Sequence, residues 1–195
     1  MSSLKYTGKF FREFLLQPTT TGAIAPSSRS LARKMVEWVE FEGSSAVIEY
    51  GPGTGVFTEA VLARLPPQCK FFIVEVNPVF VKTLRSRFPR TTIYEDTVKN
   101  VRELCDREGV KEVDSVISGL PWASFPDRMQ TDCLEGMMTV LKPGGQFVTF
   151  AYLQGLLLPY GRRFRRKLHE YFREVSSSNT VWMNLPPAFV YRCRR

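Results

Sequence analysis

A carboxylate followed by three alternating glycines is the stretch of this sequence with the clearest chemical content. The run Ala46-Val-Ile-Glu-Tyr-Gly-Pro-Gly-Thr-Gly55 begins with apolar residues, reaches Glu49 and continues with glycine at every second position. This order predicts a strand, a tight loop and the beginning of a helix. Glycine is expected in such a loop because a ligand approaches the backbone closely there, and because a Cβ would clash at positive φ.

Glu49 distinguishes between the two classes of cofactor that use such a loop. A dinucleotide site has a third glycine after a two-residue gap, so that the helix N-terminus can receive a pyrophosphate, but this chain has Val56 there. A carboxylate at the strand end would repel a pyrophosphate, whereas it would attract the ammonium and sulfonium groups of S-adenosylmethionine. The stretch therefore predicts a methyl-donor site, with a glycine-rich turn that binds no ligand as the alternative.

Two further acids stand at the ends of the next predicted strands. Glu75 lies about 20 residues beyond the glycines, the spacing at which a carboxylate accepts hydrogen bonds from ribose hydroxyls. Asp96 is placed to accept from the adenine amino group, and the loop at 22–24 is expected to close over the cofactor. The residues predicted to bind the cofactor are Ile24, Glu49, Gly51, Pro52, Gly53, Thr54, Gly55, Glu75, Val76, Asn77, Asp96, Thr97 and Ser118.

Alternating strands and helices are predicted to position these side chains. The strands are expected at 46–50, 71–75, 92–95, 113–118 and 146–152. The helices are expected at 29–40, 57–65, 78–88, 97–107, 129–141 and 160–175. Short connections between them imply a parallel α/β sheet with helices on both faces and ligands at the carboxyl ends of the strands. Residues 175–184 and 188–193 are expected to finish the sheet as an antiparallel pair.

Two basic amphipathic segments are expected to meet an anionic surface. Residues 6–17 and 160–175 both place aromatic or aliphatic residues on one side and lysine or arginine around them, and the chain carries a net charge of +8. This pattern is typical of a helix in a membrane interface, although a phosphodiester backbone would also attract it, and either segment could instead cover the core. The residues predicted to contact a membrane are Lys9, Phe10, Phe11, Phe14, Arg162, Arg163, Arg165, Arg166 and Lys167.

The remaining composition argues against several other classes of protein. Four cysteines without a C-x-x-C pair predict neither disulfides nor zinc, and the single His169 cannot build a catalytic triad or a multi-histidine metal site. The longest aliphatic run, 156–158, is far shorter than the ~20 residues that span a bilayer. We therefore expect a metal-free cytoplasmic protein, peripherally associated with the membrane, with a helical extension at 1–42 and a catalytic domain at 43–195.

These motifs, in their order along the sequence, resemble those of class I S-adenosylmethionine-dependent methyltransferases over almost the whole chain. The general motifs are Glu49-x-Gly-x-Gly-x-Gly55, Glu75, Asp96 and Lys142-Pro-Gly-Gly145. Narrower motifs resemble the bacterial soluble phospholipid N-methyltransferases, namely Phe14-Leu-x-x-Pro18, Gly22-Ala-Ile-x-Pro-Ser-Ser28, Ser118-Gly-Leu-Pro121 and Asn184-Leu-Pro-Pro-Ala-Phe-Val-Tyr191. Ornithine-lipid N-methyltransferases and ribosomal RNA adenine dimethylases are relatives of that family. The resemblance implies a Rossmann-like, mostly parallel sheet of seven strands, an N-terminal helical extension that contacts the membrane, and stepwise transfer of up to three methyl groups.

The turn at 118–121 is predicted to hold the acceptor amine. Backbone carbonyls of Gly119 and Leu120 could accept from it, and Trp122 could stack on it as a cation, unless this ring only packs under the turn. Tyr160 and Asp127 are the candidate bases.

The resulting prediction is an N-methyltransferase that converts phosphatidylethanolamine through its mono- and dimethyl forms to phosphatidylcholine. Alternatives are methylation of ornithine lipid, methylation of adenine N6 in RNA, and a non-catalytic scaffold that binds S-adenosylmethionine at a membrane. RNA is disfavoured because Gly119 stands where adenine-amino methyltransferases present Asn or Asp.

Overall fold

Seven strands and six α-helices make up residues 27–195, the part of the chain that this computed structural model describes. The strands are β1 (Ala46–Tyr50), β2 (Lys70–Glu75), β3 (Thr92–Glu95), β4 (Val113–Ser118), β5 (Leu141–Tyr152), β6 (Glu174–Ser177) and β7 (Ala188–Arg194). The helices are α1 (Arg29–Glu37), α2 (Val56–Leu62), α3 (Pro78–Arg87), α4 (Val101–Arg107), α5 (Asp127–Met138) and α6 (Pro159–Tyr171). Short 3₁₀ helices cover Val98–Asn100, Trp122–Ser124 and Leu153–Leu157.

The sheet is mostly parallel, with the order β3-β2-β1-β4-β5-β7-β6. Strands β1 to β5 run parallel, and β7 is inserted antiparallel between β5 and β6. The strand order reverses between β1 and β4, whose last residues Tyr50 and Ser118 are direct neighbours. Ligands of such sheets bind at this reversal, beyond the carboxyl ends of the strands. The predicted α/β class and seven-stranded sheet are confirmed.

Helices cover both faces of the sheet because the central strands are apolar on both sides. Val47 and Ile117 face α1 and α2, whereas Ile48 and Val116 belong to the core that α4, α5 and α6 cover. All four side chains are fully buried. A strand buried on both faces is expected to be a continuous apolar run, which is how β1 and β4 could be read from sequence.

The Asp114 side chain ties the amino ends of the central strands together through two backbone hydrogen bonds and an ion pair. Asp114 Oδ2 accepts hydrogen bonds from the backbone of Ser45 (2.8 Å) and Ala46 (2.9 Å), and its other oxygen pairs with Lys142. Although burial opposes ionisation, these donors hold the pKa of Asp114 below its usual range. The Lys142-Pro-Gly-Gly145 segment was expected as a turn before β5. Instead it lies within β5, as an irregularity in the pairing with β4.

Other boundaries differ from the sequence prediction for physical reasons. Helix α6 ends at Tyr171 rather than at Val175, because Val175 pairs with Cys193 in the antiparallel end of the sheet. Helix α2 ends at Leu62, three residues before the predicted end at 65, and this leucine is exposed. Helix α1 ends at Glu37, three residues early.

Three features bear on the predicted extension and its membrane contact. Helix α1 packs on the sheet through Leu31 and Met35, in the same apolar cluster as β5 and β7. The predicted helix at 6–17 and Ile24 lie outside the described residues. Across residues 27–195, every helix is too short or too polar to cross a bilayer.

Candidate functional site

The glycine loop after β1 has one glycine that faces open space. Gly51 and Gly53 both adopt positive φ (58° and 59°), a conformation that glycine tolerates without strain. A Cβ on Gly51 would lie 2.4 Å from the Leu120 side chain, whereas a Cβ on Gly53 would meet nothing within 4 Å. Gly53 is therefore the position at which a ligand can approach this backbone.

The rest of the loop is shaped by packing rather than by a ligand. The Pro52 carbonyl accepts from the backbone of Gly55 (3.0 Å), and the Thr54 carbonyl accepts from the Arg87 guanidinium. A Cβ on Gly55 would lie 2.6 Å from the Phe88 ring of the segment after α3. Each glycine is therefore required for a different reason. Gly51 makes room for Leu120, Gly53 leaves space for a ligand, and Gly55 makes room for Phe88.

Glu49 is a fully buried carboxylate with one oxygen left without a partner. Thr58 donates to its Oε2 (2.7 Å), but among the described residues Oε1 has no hydrogen-bond partner. Burial raises the pKa of Glu49 from 4.5 to about 8. A buried polar atom without a partner is costly and calls for an explanation. A cationic ligand in the loop supplies one, and the ammonium of S-adenosylmethionine fits that requirement.

Glu75 is held so that it braces the glycine loop. Its Oε2 accepts from the backbone of Gly53 (3.2 Å) and its Oε1 from the backbone of Asn77 (2.9 Å). Burial raises the pKa of Glu75 above its ordinary value, although these donors oppose the rise. Each oxygen can still accept a second hydrogen bond, which is what ribose hydroxyls require. Asn77 in turn caps α3 through Val79, and the neighbouring Val76 is half-buried on the core.

Asp96 lies beside Glu75 at the same edge of the sheet. Its backbone N–H donates to the Glu75 carbonyl (3.2 Å). Its Oδ1 accepts from the backbone of Thr97 (2.7 Å) and from the Asn100 side chain (2.9 Å). Thr97 caps the following 3₁₀ helix. The three strand-end acids that the sequence singled out therefore belong to neighbouring strands β1, β2 and β3.

The turn after β4 abuts the glycine loop directly. Gly119 donates to the Tyr50 carbonyl (2.8 Å), and a Cβ on Gly119 would lie 2.5 Å from the Gly51 carbonyl oxygen. Ser118 is fully buried, and its hydroxyl accepts from Leu120 N (3.3 Å) and Trp122 Nε1 (3.0 Å). The Ser118 hydroxyl therefore organises the turn, and its contact with the cofactor stays a prediction.

Trp122 belongs to the core rather than to an open surface. Its ring is 2% exposed and stacks on Phe164 at 4.7 Å between centroids. Its Nε1 donates a hydrogen bond to the Ser118 hydroxyl. This geometry favours the packing alternative over a direct stack on the substrate amine. Leu120 is likewise 2% exposed and fills the space above Gly51.

A cavity of about 210 Å³ lies beside this turn. Its walls come from the Trp122–Ser124 helix, the end of β5, the beginning of α6 and Pro186. Most of the lining is apolar, and its aromatic members are Trp122, Phe150, Tyr152, Phe164 and Tyr191. The cavity lies at the carboxyl edge of the sheet, and its Pro121 and Trp122 follow the turn that contacts the glycine loop, which makes it the candidate acceptor pocket.

Tyr152 is one of several residues of this pocket that the sequence reasoning missed. Its hydroxyl is buried and has no hydrogen-bond partner among the described residues, and burial raises its pKa. As the last residue of the predicted strand β5, it stands at the edge where ligands bind, and that position was the signal available in the sequence.

The two candidate bases lie outside the pocket lining. Tyr160 is exposed and sits under the Arg163 guanidinium (5.5 Å to the ring centroid). Asp127 forms an ion pair with Lys167 (3.1 Å). The prediction that Lys167 contacts a membrane is wrong for the described structure, because its ammonium is buried against α5 and donates to the Asp127 carbonyl (3.0 Å).

The remaining predicted basic residues stand on the surface of α6. These exposed residues are Arg162, Arg163, Arg165 and Arg166. Within residues 27–195, no group of three or more His, Cys, Asp or Glu residues is arranged to hold a metal ion.

Three comparisons place the chain among known proteins. Residues 47–145 match the family model described as "Methyltransferase domain". An ornithine lipid N-methyltransferase from Singulisphaera acidiphila is 34% identical over 97% of this chain and 94% of that protein. A ribosomal RNA small subunit methyltransferase A from Chlorobium phaeobacteroides is 29% identical over 35% of this chain and 25% of that protein.

A solved structure has a similar fold. The O-methyltransferase from Bacillus cereus in complex with SAH has a TM-score of 0.68 and 14% identity, covering 94% of this chain and 90% of that chain. At this identity the likeness concerns the fold. The family model and the relative of nearly equal length go further: the chain belongs to the methyltransferase-domain family and is a class I S-adenosylmethionine-dependent methyltransferase.

Proposed function

We propose that this enzyme methylates the primary amine in the headgroup of a membrane lipid, with ornithine lipid as the first candidate. The relative from Singulisphaera acidiphila, which matches almost the entire chain, is named for that lipid. The sequence-based expectation of phosphatidylethanolamine has no such support and becomes the second candidate. Both lipids present an alkyl amine a few bonds from an anionic group.

The observation that carries the proposal is the pocket with aromatic walls beside the turn that contacts the donor loop. Aromatic faces attract alkylammonium groups, and this attraction is the usual means of recognising quaternary ammonium ligands. A nitrogen that gains methyl groups keeps its charge and loses N–H donors, so hydrogen-bond acceptors become less useful to it with each step. A pocket lined by rings such as Phe150, Tyr152 and Tyr191 can hold all the methylated forms.

The residues of this chain supply position rather than reactive groups. S-adenosylmethionine, when bound, would supply an electrophilic methyl carbon: the lone pair of the neutral amine would attack this carbon in line, the carbon–sulfur bond would break, and S-adenosylhomocysteine would leave as the thioether. The contact between Gly119 and Gly51 fixes the acceptor turn against the donor loop. We assign to the Tyr152 hydroxyl, which has no other partner among the described residues, the role of accepting a hydrogen bond from an amine N–H. Such positioning can lower a barrier by about 7 kcal/mol or more in ideal cases.

Phosphatidylethanolamine remains a candidate because of the arginines beside the pocket. Arg162 Nε donates to the carbonyl of Leu156 (3.2 Å), and Leu156 lines the pocket. An arginine at this rim can pair with the phosphodiester of phosphatidylethanolamine, or with the carboxylate of ornithine lipid. The arginine at the rim therefore favours an amine lipid with a nearby anionic group. Phosphatidylethanolamine and ornithine lipid both meet this requirement.

RNA adenine is a weaker candidate on geometric grounds. A side chain at position 119 that could accept from a purine amine would begin with a Cβ 2.5 Å from the Gly51 carbonyl oxygen. That distance is below any ordinary contact, and the obstacle is backbone. The donor loop and an Asn or Asp at this position are therefore incompatible without a shift of the main chain.

A label-transfer assay tests the proposal. The full chain is incubated with methyl-labelled S-adenosylmethionine and vesicles that contain ornithine lipid, vesicles that contain phosphatidylethanolamine, or ribosomal RNA. Vesicles of phosphatidylcholine alone, which have no free amine, are the control. We expect label in ornithine lipid first and in phosphatidylethanolamine more slowly. Label confined to RNA would contradict the proposal, and cofactor binding without transfer to either lipid would favour the scaffold alternative.

A further inference from the structure

The loop between β6 and β7 carries its apolar side chains outside and its polar one inside. Trp182, Met183 and Leu185 are between 70% and 80% exposed, while Asn184 in their midst is 2% exposed. This arrangement inverts the usual distribution, in which large apolar residues are buried and amides face water. A contiguous exposed apolar patch of this kind marks an interaction surface.

The inverted loop is held in place by specific hydrogen bonds. The Asn184 side chain donates to the Pro186 carbonyl (2.7 Å) and accepts from the backbone of Ser28 (2.9 Å). Val181 donates to the carbonyl of Ala188 (2.6 Å) across the base of the loop. The exposure of the three apolar side chains therefore follows from a defined loop conformation that buries their polar neighbour.

A second apolar segment flanks the same pocket. Leu157 and Leu158, which precede α6, are 73% and 48% exposed. Leu158 lines the acceptor pocket from this side, and Pro186 of the inverted loop lines it from the other. Exposed arginines of α6, beginning with Arg162, follow directly. The mouth of the pocket is thus bordered by apolar residues on two segments and by positive charge beside one of them.

We propose that Trp182, Met183, Leu185, Leu157 and Leu158 form an insertion surface that enters the headgroup region of an anionic bilayer. The adjoining α6 arginines complement anionic headgroups, and tryptophan with aliphatic neighbours is the composition that settles at a bilayer interface. This inference rests on the proposed lipid substrate, because it brings the pocket mouth to the surface where that amine lies. A lipid then reaches the pocket without its acyl chains leaving the bilayer.

Tryptophan fluorescence with vesicles tests insertion directly. Trp122 is buried and Trp38 is half-buried, whereas Trp182 is 70% exposed, so Trp182 is the most exposed of the described tryptophans. Phosphatidylglycerol vesicles with brominated acyl chains should shift the emission of the full chain to the blue and quench it. Trp182→Phe should lose most of this response while still binding the vesicles. An undiminished response in Trp182→Phe would overturn the proposal, and so would a shift that depends on protein concentration without vesicles, since a second copy would then cover the surface.

A matched pair of variants separates docking from catalysis. Met183→Ser/Leu185→Ser should bind phosphatidylglycerol vesicles about tenfold more weakly, whereas Leu62→Ser, which changes an exposed leucine on α2, should bind them normally. Transfer to a short-chain amine lipid below its micelle concentration should be unchanged in both variants. Normal vesicle binding by the double variant would contradict the insertion surface. Absence of transfer from every variant, with Trp182 quenching intact, would contradict the proposed function alone.

Discussion

The donor side and the acceptor side of the site meet where the turn after β4 packs on the glycine loop, yet the two sides consist of different kinds of residue. On the donor side, Glu49, Glu75 and Asp96 stand at successive strand ends, and their oxygens are arranged by backbone N–H groups and hydroxyls. The acceptor side is a mostly apolar pocket with several aromatic rings in its walls. A ligand with fixed charges is recognised by placed carboxylates, whereas an amine that is progressively methylated is better held by aromatic surface.

Turnover is expected to be most sensitive to substitutions at the contact between the two sides. Gly119→Ala would place a Cβ 2.5 Å from the Gly51 carbonyl oxygen, and either the donor loop or the acceptor turn must move. Because a misplacement of about 1 Å can cost a factor on the order of 100, we expect turnover to fall by about that factor. Overpacking should also lower the free energy of unfolding by about 1–3 kcal/mol. Steady-state kinetics and denaturant unfolding measure the two effects, and full activity in this variant would mean that the two sides are not coupled there.

Glu49→Gln is expected to affect the donor side alone. Losing a charged partner should weaken S-adenosylmethionine binding by about ten- to a hundredfold, with little change in the affinity for the lipid. Calorimetry at pH 8 measures the cofactor affinity. Equal affinity in wild type and variant would show that the orphaned oxygen does not face the cofactor.

The same variant has a pH signature with a definite sign. Burial raises the pKa of Glu49 from 4.5 to about 8, so between these values the folded protein holds a proton that the unfolded chain releases. The free energy of unfolding must then fall as pH rises through this window. Glu49→Gln lacks that contribution, so its stability relative to wild type should increase from pH 5 to pH 8. A constant difference over this range would contradict the assignment.

Tyr152→Phe is expected to have the smallest effect of these substitutions. It tests whether the hydroxyl on the acceptor side contacts the substrate amine. Removing one hydrogen bond to the amine should lower kcat by about three- to tenfold, while S-adenosylmethionine affinity stays unchanged. Since the hydroxyl has no partner among the described residues, stability should be unchanged or slightly higher. A purely structural role for Tyr152 would instead lower stability and leave kcat intact.

The fold and the donor side could be predicted from sequence because their signals are local. Strand β4 was predicted with its observed bounds, and Pro78 was expected at the first position of α3, as it is found. Glu49 and Glu75 end apolar runs, and the parallel topology then brings strand ends to one edge without further information. The position of each acid at the end of a strand was therefore sufficient to predict that the acids lie at the same edge of the sheet.

The acceptor side could not be predicted because its members are chosen by packing between distant segments. The sequence predicted Trp122 beside the substrate because of its position in the turn. In the structure its ring stacks on Phe164, and its Nε1 donates to the Ser118 hydroxyl. Lys167 shares its helix face with leucine and phenylalanine, and only the approach of α5 turns it inward. The pocket itself combines β5, α6 and a loop near the end of the chain, which no local pattern joins.

A structure of the complex with S-adenosylhomocysteine and a short-chain ornithine lipid tests the central claim most directly, through the distance from the lipid amine to Tyr152. We predict that the homocysteine ammonium lies against Glu49 and that the lipid amine lies within hydrogen-bond distance of the Tyr152 hydroxyl. An amine bound outside the aromatic pocket, or a donor held away from Glu49, would contradict this account.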